Sequence, residues 1–166
     1  MTSESPEFDH LLHCVPGVAS AVAVCTAAGL PAHTNPPYLG FQNGAWRLDV
    51  RYVEILGIVD RDEVAGSPYG RAMTSWMPVV DDLVADGGGV LNFAVNVTDV
   101  AATTERLRRE GHEVELVTFA TEGSPVSFRE AFLRDAPRWA GSSSPTPPAG
   151  RCAICRLTSA TRSPRP

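Results

Sequence analysis

Lysine is absent from this chain: all 14 of its basic residues are arginine. That reads as a base-composition bias of the coding sequence rather than as chemistry. No apolar run approaches the roughly 20 residues of a membrane-spanning helix, so no helical membrane segment is expected. Nor does residue 1–7, acidic and polar, follow the basic-then-apolar pattern of a secretory signal, and a cytoplasmic location is the expectation. A basic surface is missing as well. The net charge is −5, and residues 141–166 hold Arg151, Arg156, Arg162 and Arg165 without one acid, leaving −9 on the rest. An acidic body argues against nucleic acid, whose binding draws on released counterions.

Cysteine is scarce. Cys14 falls in an expected strand and Cys25 in an expected helix, as small buried apolar residues. Cys152 and Cys155 have CxxC spacing, yet no second ligand pair or nearby histidine accompanies them, and they follow no strand-to-helix turn. That is little support for zinc or thiol redox chemistry.

What the chain does have is a repeat. The segment from Phe8 to Ala19 lies over the segment from Val90 to Ala101 at an offset of 82, and the register runs without a gap to Gly29 over Gly111. Each copy reads as an apolar strand, a short polar turn, an Ala-rich helix and a glycine stop, and such self-similarity bears on architecture before anything else. Strands are expected at 8–15, 52–59, 90–97, 113–120 and 127–133, with one or two more between 38 and 50. Helices are expected at 17–28 and 100–110, the second with Thr98-Asp99 as its N-cap. Residues 60–89 read as a connector, plausibly helical over 71–85 but interrupted by Pro78. Gly87-Gly88-Gly89 precedes a strand instead of opening a helix, so it is no phosphate cradle.

Strand alternation then sorts faces. Leu91, Phe93, Val95 and Val97 should pack under a helix, with Asn92, Ala94 and Asn96 opposite. In the first copy Phe8, His10, Leu12 and Cys14 share a face. Glu54, amid Tyr52-Val53 and Ile55-Leu56, is costly to bury alone; it should face a polar cavity or pair with a residue such as Arg47 or Arg51. His13 is expected to be structural and His33 exposed. Trp76 and Trp139 are expected in the core.

Phe8-Asp9-His10-Leu11-Leu12-His13-Cys14-Val15-Pro16, Gly40-Phe41-Gln42-Asn43, and Tyr52-Val53-Glu54-Ile55-Leu56 followed by Asp60, set in the offset repeat, resemble the glyoxalase-like domain proteins of the vicinal oxygen chelate (glyoxalase/bleomycin resistance/dioxygenase) superfamily. The resemblance covers about residues 7–139. It implies an α+β fold of two repeated βαβββ-type modules curled into a mixed-sheet cup around a divalent metal, with ligands on the first and last strand of each module. Carried over, His10 matches the first ligand and Glu54 the second. The third position falls on Asn92, a poor ligand, and the fourth on a closing strand after Trp139, where Gly141-Ser142-Ser143-Ser144-Pro145 stands. Asn43, Trp46 and Asn92 are the expected substrate-pocket residues.

The domain is thus expected at 7–140: module one over 7–60, the connector over 61–89, and module two over 90–140, incomplete at its C-terminus. Residues 141–166 read as a disordered or frame-altered tail. Three functions stay open. One is a divalent-metal-dependent lyase, isomerase or dioxygenase on a small oxygenated substrate, the metal's identity unassigned. The others are a metal-free small-molecule binding protein of the same fold and a truncated remnant. No nucleotide cofactor is expected; the expected partner is a small-molecule ligand or substrate, and a homodimer is left open.

Overall fold

A computed structural model describes residues 6–120, 126–135 and 156–162. The elements run β1 (Glu7–Cys14), α1 (Val18–Ala27), β2 (Ala32–Thr34), β3 (Phe41–Arg47), β4 (Tyr52–Ile58), α2 (Arg61–Gly66), α3 (Pro68–Ala72), α4 (Met77–Ala85), β5 (Gly89–Asn96), α5 (Val100–Arg109), β6 (Val114–Ala120), β7 (Val126–Leu133) and β8 (Arg156–Arg162). They form the expected α+β fold: two βαβββ modules in one mixed, eight-stranded sheet of order β2-β3-β4-β1-β5-β8-β7-β6. The sheet is curled and open, with β2 and β6 at its edges. None of the described helices is long and apolar enough to cross a membrane.

The modules meet where β1 runs antiparallel to β5, and the pairing there is symmetric. Leu11 faces Phe93, which lies 82 residues on; His10 faces Ala94 while Leu12 faces Asn92; Phe8 faces Val95 while His13 faces Val90. Adding 82 to one member of a pair and subtracting it from the other returns another observed pair. The register shifts leave Asp9 and Leu91 as extra residues, again 82 apart. Helix ends repeat too: Gly29 and Gly111 both take positive φ after α1 and α5, where glycine carries no Cβ penalty. Leu30 N–H donates to Cys25 O, as His112 N–H does to Leu107 O.

The helix caps differ. Asp99 Oδ1 accepts from the N–H groups of Ala101 and Ala102, whereas Gly17, its counterpart, offers α1 no side chain. Asp99→Ala should therefore lower stability by about 1 kcal/mol, read as a fall of roughly 2–4 °C in melting temperature. An unchanged transition would show that α5 is held by packing alone.

Two apolar layers cover the convex side. Val15, Val18, Val22 and Ile55 fix α1, and Val95, Val97, Val100 and Val114 fix α5. At Gly44 the helix comes close to the sheet: a Cβ there would fall 2.8 Å from Val22 Cγ2 of α1, and 2.6 Å from His33 O of β2. On the concave side Leu12, Phe41, Val117, Phe119 and Phe132 join one cluster with Val64, Met73, Trp76 and Val80 of the connector. Residues of β3 and β6, near opposite edges, meet there because the sheet curls around the connector. Trp76 is buried, as expected; Trp139 lies outside the described residues.

Several details correct the sequence reading. Pro78 does not interrupt a helix; it sits in the first turn of α4, where its missing N–H costs nothing. Leu91 joins the concave cluster rather than the helix face, because the register shift beside it displaces the two-residue alternation. Most consequential is β8, inside the segment expected to be a tail. It pairs in parallel with β5 and antiparallel with β7 over seven residue pairs. Arg156-Leu157-Thr158-Ser159-Ala160-Thr161-Arg162 has little local strand character. Two flanking strands specify it, and that pairing is non-local.

Candidate functional site

Parallel pairing sets His10 opposite Tyr52 and Leu12 opposite Glu54, so His10 and Glu54 are diagonal neighbours on the concave face. The imidazole is 1 % exposed and stacks on Tyr52 with centroids 4.5 Å apart. Arg47 lies over the same ring, 5.0 Å from its centroid. His10 Nε2 stands 3.3 Å from Glu54 Oε2, and His10 Nδ1 stands 3.3 Å from Asp9 Oδ2. Asn43 Nδ2 donates to Glu54 Oε1 at 2.9 Å, and Asn43 Oδ1 accepts from Asn35 Nδ2 at 3.0 Å. Glu54 is thus oriented from both sides: one oxygen faces an imidazole, the other accepts from an amide. Of the two arginines expected beside it, Arg51 pairs with Asp49 and Arg47 lies over Tyr52.

Glu54 and Asn43 line a small cavity of about 70 Å³, partly open to solvent, whose other walls include Leu12, Phe41, Leu56, Tyr69, Met73 and Phe132. A carboxylate on apolar walls keeps acceptor capacity toward the cavity, because its two oxygens offer about four lone-pair sites. Cys14, deeper on β1, has its thiol pushed up to about 12 by burial and then by the Glu54 charge, so it stays protonated and unreactive.

Of the expected pocket residues, Asn43 lines this cavity, whereas Trp46 and Asn92 do not. Trp46 packs beside Val15, Val18 and Val22 under α1; three residues from Asn43 along a strand, it must take the other face. Asn92 is on the concave face opposite Leu12, but its Oδ1 accepts the N–H of Phe93 at 2.7 Å. His13 is half-buried and His33 exposed. Cys152 and Cys155 lie outside the described residues. Tyr69, Met73 and Phe132 escaped the sequence reading. The signal available for the first two was Ser67-Pro68, a cap-and-start pair that opens a short helix just ahead of the stretch expected to be helical.

His10 and Glu54 are spaced so that one ion could touch both, given metal–donor distances of roughly 2.0–2.2 Å. Two donors do not make a site, since catalytic centres use about three protein ligands. Among the described residues no group of three His, Cys, Asp or Glu side chains is placed to hold a metal, and the Asn92 amide oxygen is engaged with the backbone. The described donor set does not fit a divalent ion.

A family model for the glyoxalase-like domain matches residues 8–158, running through the first residues of β8. The chain belongs to that family. Like the methylmalonyl-CoA epimerases whose structures it resembles, the glyoxalase-like domain falls in the vicinal oxygen chelate superfamily. Similar solved structures include a hypothetical protein from Staphylococcus aureus, with TM-score 0.64 and 14 % identity over 96 % of this chain and 60 % of that one. This chain therefore spans less than two thirds of that protein. Methylmalonyl-CoA epimerase from Mycobacterium tuberculosis follows, with TM-score 0.55 and 15 % identity over 95 % and 89 % of the two chains. A variant of the Streptomyces coelicolor methylmalonyl-CoA epimerase, in complex with 2-nitronate-propionyl-CoA, gives 0.56 and 16 % over 96 % and 100 %. At these identities the likeness is one of fold. No curated protein matches the chain.

Proposed function

We propose that this glyoxalase-like domain binds a small molecule in the cup, with Glu54 as the polar anchor and without a divalent metal. One observation carries the reading: Glu54 is oriented by His10 and Asn43 and opens onto an otherwise apolar pocket. Buried polar groups placed on apolar walls give orientation, while the walls give affinity. The offset register of β1 and β5 supports an origin of the two modules by internal duplication.

The spacing of His10 and Glu54 favours a second reading, an isomerase. A carboxylate 3.3 Å from an imidazole can take a proton from a carbon acid and share it with the ring. Two epimerases among the structural neighbours agree with that reaction class.

Catechol, benzaldehyde and phenylacetate, each tested with chelator present, should include at least one that raises the melting temperature. At a hundredfold excess over Kd the gain is about 2.7 kcal/mol, and it should vanish in Glu54→Gln. Metal analysis of the purified protein should give well under one equivalent. One tightly held equivalent, lost in His10→Ala, would restore the metal-enzyme reading. Glu54-dependent exchange of a substrate C–H with deuterated water would establish the isomerase.

A further inference from the structure

Between Asp9 and Arg47 the chain carries no Asp, Glu, Lys or Arg, whereas the matching stretch 82 residues on, 92–128, carries nine. The contrast is sharpest on the two helices. Ala23, Val24, Thr26 and Ala27 of α1 are all exposed, Val24 to 70 %. Their counterparts on α5 are Glu105, Arg106, Arg108 and Arg109, which are exposed as well. There Arg108 pairs with Glu105, and Arg106 with Glu110. The second module thus shows how this helix looks when its outer face meets water. On α1 the inner face rests on Val18 and Val22, and the outer face offers mainly alanine and valine. A helix with no polar stripe is one that is covered on both sides.

α1 also lies beside an open sheet edge. Ala32 of β2 packs in the same cluster as Val18 and Val22, and β2 ends the sheet, paired with β3. Its residues Ala32-His33-Thr34 include none of the charges that keep an edge from pairing with another chain. The strand at the far edge, β6, carries Glu115.

The two features call for one kind of neighbour. An open edge accepts a strand, and an uncharged helix face fits a surface depleted of charge, as interface cores are. A second copy of the chain supplies both at once. A half-turn about an axis normal to the sheet lays two β2 strands antiparallel. The same rotation keeps both α1 helices on the convex side, next to each other, with alanines between them. We infer that the chain forms an isologous homodimer through β2 and the outer face of α1. Ten helical residues span about 15 Å, and β2 adds three residues. The contact therefore falls at the small end of specific interfaces, and dissociation belongs in the micromolar range.

Sedimentation equilibrium of the full chain tests this. At low micromolar concentration the mass should be that of the 17.7 kDa monomer, rising to twice that mass at several hundred micromolar. Val24→Arg combined with Ala28→Glu copies onto α1 the Arg106–Glu110 pair of α5, and this variant should stay monomeric throughout. Both positions are exposed, so its melting temperature in dilute solution should stay within about 2 °C of wild type. Amide exchange at residues 32–34 should slow with concentration in wild type and not in the variant. A wild type that stays monomeric into the millimolar range overturns the inference. So does a dimer that the double variant leaves intact, or one whose formation does not protect the β2 amides.

Discussion

The His10→Ala variant should lose about 3–5 kcal/mol of stability, the cost expected when the neighbour of a buried carboxylate is removed. Both members are buried: His10 is 1 % and Glu54 7 % exposed. With the imidazole gone, Oε2 of Glu54 loses its neighbour at 3.3 Å, while Asn43 still donates to Oε1. Losing a donor beside a carboxylate this buried is costly, and the stacking of the ring on Tyr52 goes with it. Chemical denaturation would show the loss. Replacing both residues, His10→Leu with Glu54→Leu, should cost less than His10→Ala alone, because the carboxylate is removed together with its neighbour. A single-variant loss below about 1 kcal/mol would mean that the two side chains do not depend on each other.

The architecture was legible in the sequence wherever the signal was local. Apolar strand, polar turn, Ala-rich helix and glycine recur because each copy must build the same strand-helix unit, and Gly29 and Gly111 mark places where the chain needs positive φ. Alternation grouped His10, Leu12 and Cys14 as the sheet does, but Phe8, expected with them, lies opposite Val95 of the helix-side layer, beyond the extra residue Asp9. Alternation failed where the backbone departs from it: the extra residue at Leu91 moved that side chain across the sheet. Trp46 was misplaced for a simpler reason. Pocket chemistry was weighed by residue type, while its three-residue separation from Asn43 already excluded a common face.

Non-local structure was less visible. β8 owes its existence to the ladders on either side of it, and nothing in its seven residues announces that. The position matching Glu54 in the second module can be named only once the register of β8 is known. The connector was hidden for a related reason. Its helices are short, and their role as the filling of the cup depends on Tyr69, Met73 and Trp76 meeting strands more than forty residues away.

Phe132→Ala should produce the other large effect, a loss of roughly 3–5 kcal/mol, as for deletion of a fully buried aromatic ring. Phe132 is 1 % exposed and ties three parts of the molecule together. It stands on β7 and meets Tyr69 edge-on at 6.1 Å and Trp76 at 5.6 Å, so the connector is held to the second module through this ring. Tyr69 in turn stacks on Phe119 of β6 at 4.1 Å. At about 2–4 °C per kcal/mol for a chain of this size, the melting temperature should fall by roughly 6–20 °C. Phe132→Leu should recover more than half of that loss, since it restores most of the volume. The pocket supplies a second readout. Phe132 is one of its walls, so truncation should open the cavity and let a bulkier aromatic probe, naphthylacetate, bind relative to phenylacetate better than it does in wild type. A loss below about 1 kcal/mol with unchanged probe selectivity would mean that the connector does not pack on β7, and the cup would be wider than the structure shows.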